Sequence, residues 1–301
     1  MPDRPGPVGF RISATQSAGL DWSRLDEAWA AAGQEPAFDA GWMSDHLSDA
    51  SRERGGPAFE SFTLAAALAR RVPGKWVGIA VASATFRHPA LTAKAATVLD
   101  NVTGGRFILG LGAGWHAGEH DAYSIPLPPI GERFDRFESA LRVISALFSP
   151  AAALAEGVSI DDPIWPLRKA TNIPPPVNPD GPPIWLGVLK PRGRALAARF
   201  AQGWPMPGNR PGDVHLFSEQ RDLLRAALEE AGRDPDDFDF AAQISTRPSD
   251  DDLSDARETG IRFLHAGATH LILGMPATDG PEGVRRLANE VAAPLREAAR
   301  R

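Results

Sequence analysis

Hydrophobic and polar positions alternate between two patterns along the chain. Short apolar runs typical of buried parallel strands begin at Gly9, Ala40, Trp76, Arg106, Pro183, Gly203, Phe238 and His270. Amphipathic stretches of helical period span Trp22 to Ala37, Phe59 to Arg71, Ala90 to Asn101, Gly131 to Phe148, Arg192 to Ala201, Asp213 to Ala231, Leu253 to Ala266 and Pro281 to Arg300. Eight strand–helix repeats predict one α/β domain over residues 1–301, a (β/α)8 TIM barrel closed by right-handed crossovers.

One segment interrupts this alternation between the fourth helix and the fifth strand. Residues 149–182 are rich in Pro, Gly and Asp, a composition that disfavours a long helix. The segment is also longer than an ordinary connection between elements. We predict an insertion on the barrel surface. Whether it acts as a lid, provides a surface for a partner or is a packed excursion that only covers the barrel stays open.

Composition narrows the class of protein. The 301 residues include no cysteine, which excludes thiolate chemistry. Their net charge of −6 argues against a nucleic-acid partner, because binding to phosphate backbones normally needs a basic face. No apolar run reaches the roughly 18 residues of a membrane span, and the start MPDRPGPVGF lacks the apolar core of a signal peptide. We expect a cytoplasmic protein whose partner is a small molecule, not nucleic acid or a membrane.

A TIM barrel carries its chemistry at the C-terminal ends of the strands. Polar residues or glycines follow four of the predicted strands: Ser44 to His46, then Ser83 with Arg87 and His88 beyond it, then Gly112 to Trp115, then Gly187 and Val188. Glycines there let the backbone approach a ligand, and free N–H groups hold phosphate oxygens. A tight turn explains the same glycines equally well.

The fourth predicted strand is followed by a second candidate motif. His116-Ala117-Gly118-Glu119-His120 has the spacing of an inverted zinc-protease motif. Zinc binding there needs a helix that projects both imidazoles from one face, and Gly114 and Gly118 weaken such a helix. We therefore expect surface histidines, with Glu119 bonded to nearby backbone, and keep a barrel metallohydrolase as an alternative.

Four separated motifs resemble the luciferase-like monooxygenase superfamily. They are FDAGWMSDHL, RHPALTAKAATVLDNVTGGRFILGLGAGWHAGEHDAYSI, ERFDRFESALRVISALF and PPIWLGVLKPRGRALAARFAQGW, and the resemblance extends in order from about Phe10 to Trp204. It implies a (β/α)8 barrel with an insertion before the fifth strand. It also implies a flavin or deazaflavin held across the strand ends, in a homodimer.

The residues after the second strand bear on which cofactor the resemblance implies. Members that use coenzyme F420, an 8-hydroxy-5-deazaflavin, often carry an Asp-His pair there, as Asp45-His46 does, whereas FMN-dependent relatives often show Glu-His-His. The resemblance therefore favours F420, and implies hydride transfer between F420 and a small organic substrate. An FMN-dependent monooxygenase that uses reduced FMN and O2 is the alternative, and a noncatalytic flavin-binding protein is a further one.

The resemblance also assigns roles to individual residues. Asp45 and His46 would face the cofactor ring, with His46 as the proton donor or acceptor. A cis peptide bond at Ala80-Val81 would form a bulge that supports the ring. The other cofactor contacts would be Gly112, Gly114 and Trp115 after the fourth strand and Gly187 and Val188 after the fifth. Arg87 and His88 are secondary polar candidates, unless they only initiate the third helix.

Two departures limit what the resemblance implies. Deazaflavin-dependent sugar-phosphate dehydrogenases carry a Trp shortly after the Asp-His pair and a Glu where Trp115 stands. Here the pair is followed by Leu47-Ser48-Asp49-Ala50, so that dehydrogenase activity is not predicted. At the sixth strand Gln202 replaces the Asp of the frequent Ala-Asp-Gly-Trp, and we expect the polar contact of that Asp to be absent or altered.

Overall fold

The computed structural model describes residues 4–13, 21–48, 57–207, 210–246 and 249–300. Their strands are β1 (Val8–Ser13), β2 (Ala40–Met43), β3 (Trp76–Ser83), β4 (Phe107–Gly112), β5 (Val158–Ile160), β6 (Leu167–Ala170), β7 (Ile184–Leu186), β8 (Gly203–Pro205), β9 (Asp239–Ser245) and β10 (His270–Pro276). All except β5 and β6 form one closed barrel of parallel strands, in which β1 pairs with both β2 and β10. The predicted barrel is confirmed. Ala14 and Thr15, at the end of the first predicted run, lie outside the described residues.

The helices lie where the amphipathic stretches predicted them, with one addition. They are α1 (Trp22–Gln34), α2 (Ser61–Leu68), α3 (Pro89–Thr103), α4 (Ala117–Ala122), α5 (Ile130–Phe148), α6 (Pro191–Phe200), α7 (Val214–Glu230), α8 (Asp250–His265), α9 (Gly280–Leu287) and α10 (Ala293–Ala298). A π-helical turn, Ala288–Ala292, joins α9 to α10 and divides the eighth predicted helix. Among the helices described, none is long and apolar enough to cross a membrane.

The added helix, α4, forms where glycines were expected to weaken a helix. It is short, and the side chain of His116 caps it by accepting a hydrogen bond from the backbone N–H of Glu119 (3.0 Å). Such a cap satisfies one of the free N–H groups of the first turn. A local side-chain contact therefore supports a helix that the glycine content disfavours.

The insertion before β7 packs on the barrel's helices. Its strands β5 and β6 pair antiparallel in a separate sheet. The buried carboxylate of Asp162 accepts hydrogen bonds from Ser139 (2.5 Å) and Arg142 (2.7 Å) of α5. Further along, the side chain of Asn178 donates to Asp100 of α3 (3.0 Å). These buried polar contacts favour the packed excursion among the three interpretations left open by the sequence.

Two tryptophans and a histidine fill the interior of the barrel on the side of the N-terminal ends of the strands. The rings of Trp42 and Trp185 lie with centroids 4.9 Å apart, and both are fully buried. Glycines on neighbouring strands make room for them: a Cβ on Gly78 would lie 2.3 Å from the Trp42 ring, and one on Gly203 would lie 2.4 Å from Trp185 Nε1. The third large group is His270, whose Nε2 accepts a hydrogen bond from Trp42 Nε1 (2.9 Å).

His270 is held neutral by its surroundings. Burial lowers the pKa of His270 to about 4, because an apolar interior disfavours the charged imidazolium. Its Nδ1 lies 2.6 Å from the carbonyl oxygen of Gly6. Since Nε2 accepts from Trp42, Nδ1 carries the hydrogen and donates it to Gly6. This one side chain thus joins the segment before β1 to the interior of the barrel.

A buried carboxylate at the start of β9 makes stability depend on pH. Burial raises the pKa of Asp239 to about 6, although Arg4 and a hydrogen bond from Thr269 (3.2 Å) oppose the rise. The unfolded value is about 3.9, so the folded state retains this proton between about pH 4 and 6. The contribution of Asp239 to the free energy of unfolding is therefore present at low pH and is lost as the pH rises through 6.

We expect Asp239→Asn, which cannot ionise, to avoid that loss. At pH 7.5 its free energy of unfolding should exceed that of the wild type by about 1–3 kcal/mol, and the difference should disappear near pH 4. Urea denaturation at pH 4.5, 6 and 7.5 measures both proteins, with Asp255→Asn on the exposed face of α8 as the matched control. A difference that is the same at all three pH values would contradict the prediction.

Candidate active site

Polar side chains meet at the C-terminal ends of β2, β3 and β4, and Glu119 lies at their centre. Its side chain is 1% exposed. One carboxylate oxygen, Oε2, lies 2.9 Å from His46 Nδ1. The other, Oε1, accepts hydrogen bonds from the backbone N–H groups of Leu47 (2.6 Å) and Ser48 (3.1 Å). A single carboxylate from α4 therefore orients both the His46 ring and the loop that follows β2.

The ionisation of Glu119 assigns the tautomer of His46. Burial alone would raise the pKa of Glu119, but hydrogen bonds from His46, Ser48 and Leu47 outweigh it and hold the pKa below its usual value. An ionised carboxylate only accepts, so His46 Nδ1 carries a hydrogen. His46 Nε2 makes no hydrogen bond within the described part of the chain, and the side chain is 23% exposed. The free nitrogen is therefore accessible to a ligand.

Asp45, the neighbour of His46, is engaged within the protein. Its carboxylate receives two hydrogen bonds from Arg87 (2.7 and 2.9 Å), one from the Ser61 hydroxyl (2.6 Å) and one from the Ser83 N–H (3.0 Å). Arg87 also pairs with Glu60. These bonds join the ends of β2 and β3 to α2. Contact between Asp45 and a cofactor stays a prediction, because the carboxylate already has four donors.

His88 initiates a helix, as the second interpretation of Arg87-His88 supposed. α3 begins at Pro89, and His88 Nδ1 accepts a hydrogen bond from the Ala90 N–H (3.2 Å). The ring also contacts Trp165 of the insertion, with centroids 4.6 Å apart. His88 is therefore accounted for by capping and packing.

The His-x-x-Glu-His motif is used in hydrogen bonding. His120 is buried, which makes the expectation of surface histidines wrong for this residue. Its Nδ1 lies 2.7 Å from the His116 carbonyl oxygen, and its Nε2 lies 2.7 Å from Thr85 Oγ1. The expected bonding of Glu119 to nearby backbone is confirmed. In the described ranges no group of three or more His, Asp or Glu could hold a metal ion, so the metallohydrolase has no support there.

The predicted bulge in β3 is present. The Ala80-Val81 peptide bond is cis, and the register of β3 against β4 shifts between Ile79 and Ala82. The side chain of Val81 occupies the space beside two of the candidate glycines. A Cβ on Gly112 would lie 3.0 Å from a Val81 methyl, and one on Gly187 would lie 3.2 Å from both methyls. Room for Val81 is thus a sufficient reason for these glycines, and their contact with a cofactor stays a prediction.

The Gly114-Trp115 loop has a different requirement. Gly114 has φ +83°, and a Cβ there would lie 2.6 Å from Thr85 Oγ1. Left-handed backbone of this kind favours glycine. The Gly114 carbonyl accepts a hydrogen bond from Arg133 of α5 (2.8 Å), which fixes the loop. The next residue, Trp115, is 66% exposed, and its ring stands perpendicular to that of His46 with centroids 6.1 Å apart.

The loop after β7 offers free backbone donors. The Gly187 N–H donates to the Leu111 carbonyl (3.0 Å), and the Val188 carbonyl accepts from Trp204 Nε1 (2.7 Å). Within the described part of the chain, the N–H groups of Val188 and Leu189 form no hydrogen bond. They precede α6, whose ten residues place the positive end of a helix dipole beside them.

The roles of two residues at the mouth, Glu119 and Arg11, were not predicted from the sequence. The sequence assigned Glu119 only backbone contacts, whereas it also bonds His46. Arg11 of β1 was not selected at all, although it is a charged residue inside the apolar run VGFRIS. That interruption of a buried strand was the available signal. Asp49 and Ala50, which distinguish this chain from the sugar-phosphate dehydrogenases, lie outside the described residues.

Comparison with known proteins identifies the family. The model of the luciferase-like monooxygenase family matches residues 8–300. This chain belongs to the luciferase-like monooxygenase family. The resemblance drawn from the four motifs is therefore confirmed, and the match includes the C-terminal third that the motifs did not cover.

Individual relatives of this luciferase-like protein include reductases and dehydrogenases. A phthiodiolone/phenolphthiodiolone dimycocerosates ketoreductase from Mycobacterium tuberculosis is 33% identical over 259 residues, 79% of this chain and 64% of the relative. The chain thus spans less than two thirds of that ketoreductase. An F420-dependent glucose-6-phosphate dehydrogenase from Beutenbergia cavernae is 31% identical over 199 residues, 65% of this chain and 55% of the relative.

Solved structures share the fold of this luciferase-like protein. An F420-dependent secondary alcohol dehydrogenase in complex with an F420–acetone adduct superposes with a TM-score of 0.77 at 17% identity, over 99% of this chain and 100% of that one. An F420-dependent tetrahydromethanopterin reductase from Methanopyrus kandleri has a TM-score of 0.77 at 15% identity, over 96% and 99%. At these identities the likeness shows the barrel fold alone.

The packing of Val81 against Gly187 predicts coupled effects on stability. We expect Gly187→Ala to lower the free energy of unfolding by about 1–3 kcal/mol, because the added methyl overpacks the Val81 side chain. Val81→Ala should also lower the free energy of unfolding. The loss in the double variant should be smaller than the sum of the two single losses by at least about 0.5 kcal/mol. Denaturant unfolding of the two single variants and the double variant measures this coupling.

Gly131→Ala is the matched control, because a Cβ there would meet nothing within 4 Å. It should leave the free energy of unfolding within about 0.5 kcal/mol of wild type or raise it. Strictly additive losses in the Gly187 and Val81 variants would show that the two side chains do not share this space.

Proposed function

We propose that this protein is an F420-dependent oxidoreductase that interconverts a small carbonyl compound and the corresponding alcohol. The observation that carries the proposal is the His46–Glu119 pair, which leaves a free imidazole nitrogen at the mouth of the barrel. The names of two relatives support the reaction class: one is a ketoreductase, and the other is an F420-dependent dehydrogenase. The Asp45-His46 pair supports F420 in preference to FMN.

The residues at the mouth fit an anionic, ring-shaped cofactor. The N–H groups of Val188 and Leu189 are free donors at the start of a ten-residue helix, an arrangement that suits phosphate oxygens. Trp115 exposes a large aromatic surface beside His46, which suits packing against a planar ring. In this proposal Gly112, Gly114 and Gly187 lie close to the cofactor, and the Ala80-Val81 bulge supports its ring.

When bound, F420 supplies the hydride chemistry at C5 of its deazaflavin ring. His46 handles the proton. In the reductive direction His46 Nε2 gives a proton to the carbonyl oxygen of the substrate, and in the oxidative direction it takes the proton from the hydroxyl. The Glu119 carboxylate stabilises the imidazolium form through Nδ1 and fixes the direction of Nε2. Glu119 is thus a positioning residue, and His46 is the catalytic one.

We also propose that the protein acts as a homodimer, as the family resemblance implies. Leu91, Val98 and Val102 are exposed along one face of α3, because their spacing places them on the same side of the helix. Ile173 and Val177 of the insertion expose further apolar surface. Large apolar side chains exposed in this way often mark a protein interface. The cytoplasmic location expected from the sequence stays a prediction.

Cofactor preference is the first test of this function. We expect F420 to bind with a dissociation constant at least about tenfold lower than that of FMN, a difference of about 1.4 kcal/mol. Parallel fluorescence titrations of one protein preparation with both cofactors measure the two constants. Equal or tighter binding of FMN would overturn the F420 assignment and favour the FMN-dependent monooxygenase, which O2 consumption with reduced FMN would then test.

Proton transfer by His46 is the second test. With reduced F420 and a panel of short ketones, we expect His46→Ala to lower turnover by about 10²-fold or more while F420 affinity stays within about threefold of wild type. Glu119→Gln should lower kcat and shift its pH profile, because the amide cannot stabilise the imidazolium as a carboxylate does.

His265→Ala, at the exposed C-terminal end of α8, is the matched control and should behave as wild type. Unchanged turnover of the His46 variant would make His46 a structural residue. An unshifted pH profile in Glu119→Gln would limit Glu119 to holding the loop after β2.

A further inference from the structure

Arg11 points into the barrel from β1. On the outer side of this strand, Phe10 packs against Trp29 of α1 with ring centroids 4.8 Å apart. Gly9 faces the interior, since a Cβ there would lie 2.6 Å from Trp42 Nε1. Side chains alternate along a strand, so Arg11 shares the inward side with Gly9. It lies one layer closer to the C-terminal mouth than the Trp42 ring.

The strands beside β1 are shaped around this guanidinium. Arg11 pairs directly with Gly274 of β10, and a Cβ on Gly274 would lie 3.4 Å from Arg11 Nη2. Gln243 of β9 accepts a hydrogen bond from Arg11 Nη1. Its amide nitrogen donates to the Met206 carbonyl after β8 (2.6 Å). Gln243 is thus fixed at both ends, and it holds one side of the guanidinium.

The charge on Arg11 has no counterpart in the described residues. Arg87, which follows β3, is paired with Asp45 and Glu60. Arg11 forms no ion pair in the same described ranges, and its hydrogen bond to Gln243 uses only Nη1. Burial lowers the pKa of Arg11, with no carboxylate to oppose the change. Arg11 is half-buried, and charges drawn out of water are normally paired, so the described part of the mouth leaves this cation without an anion.

We propose that Arg11 and Gln243 form a binding subsite for a negatively charged oxygen of a ligand inside the barrel mouth. No described residue accepts a hydrogen bond from Nη2 or Nε of Arg11, and a planar guanidinium suits a carboxylate, a phosphate or a ring oxyanion. That oxygen belongs either to the cofactor or to the substrate. The inference rests on the proposed function only for this choice of source.

The test compares Arg11→Met with wild type. Acetate and inorganic phosphate, titrated at constant ionic strength and followed by thermal unfolding, probe the protein without cofactor. We expect wild type to bind at least one of them about tenfold or more tightly than Arg11→Met does, the loss expected for a charge-assisted hydrogen bond. Arg168→Met removes the same charge from an exposed position of β6 and should bind as wild type.

F420 titrations then identify the source of the anion. If the cofactor supplies it, Arg11→Met should bind F420 at least about tenfold more weakly, and F420-loaded wild type should no longer respond to acetate or phosphate. If the substrate supplies it, F420 affinity should stay within about twofold, and the loaded wild type should still respond through Arg11. Either result supports the subsite.

Equal binding of F420, acetate and phosphate by wild type and Arg11→Met would overturn the proposal and leave the proposed function standing. If Arg11→Met does not fold, Arg11→Gln takes its place, because it removes the charge and keeps a polar side chain; equal binding of all three probes by this variant overturns the subsite. If neither F420 nor FMN binds, the proposed function fails, and the acetate and phosphate titrations still decide on Arg11.

Discussion

The large side chains inside the barrel are the constraint on which the rest of this structure depends. Trp42 and Trp185 are in contact, and His270 joins them through the indole of Trp42. Rings of this size fit only because the facing positions of neighbouring strands are glycines, such as Gly78 and Gly203. This packed layer closes the end of the barrel that lies opposite the mouth. Whatever binds in the interior must therefore enter from the C-terminal ends of the strands.

Above that layer, two buried carboxylates fix the loops of the mouth. Glu119 binds the segment after β2 and orients His46, while Asp45 joins β2 to β3 through Arg87 and Ser83. A buried carboxylate is stable only when donors surround it. The donors here come from different elements, so satisfying each charge also sets the relative positions of those elements. The accessible nitrogen of His46 results from this arrangement.

The charges of the mouth are unevenly balanced. Glu119 and Asp45 each have a cationic or N–H partner, whereas Arg11 on the adjacent strand β1 contacts, among the described residues, the neutral amide of Gln243. A barrel filled by large side chains at its N-terminal end, combined with a cation that has no ion pair among the described residues, is suited to holding an anionic ligand in one orientation. Orientation of reactants by fixed groups is a large part of what an enzyme contributes when a cofactor performs the chemistry.

The sequence by itself determined the barrel, because eight alternations between apolar strand runs and amphipathic helical stretches are compatible with few other folds. It also determined the end of the barrel where polar residues gather, since strand ends are visible in the pattern. The family motifs added the Ala80-Val81 cis bond, which no local propensity indicates. Helix α4 was missed because glycine content outweighed a capping contact that needs His116 in place.

Only the tertiary structure decided which side chains meet. Glu119 lies 73 positions from His46 along the chain, and Arg11 lies 232 from Gln243; a periodic pattern carries no information about such pairs. The same limit applies to Gly112 at the end of β4 and Gly187 after β7, whose space is set by Val81 of β3. Hydrophobic periodicity fixes which face of an element is buried, but hydrogen bonding and close packing between distant segments depend on the closed barrel that brings them together.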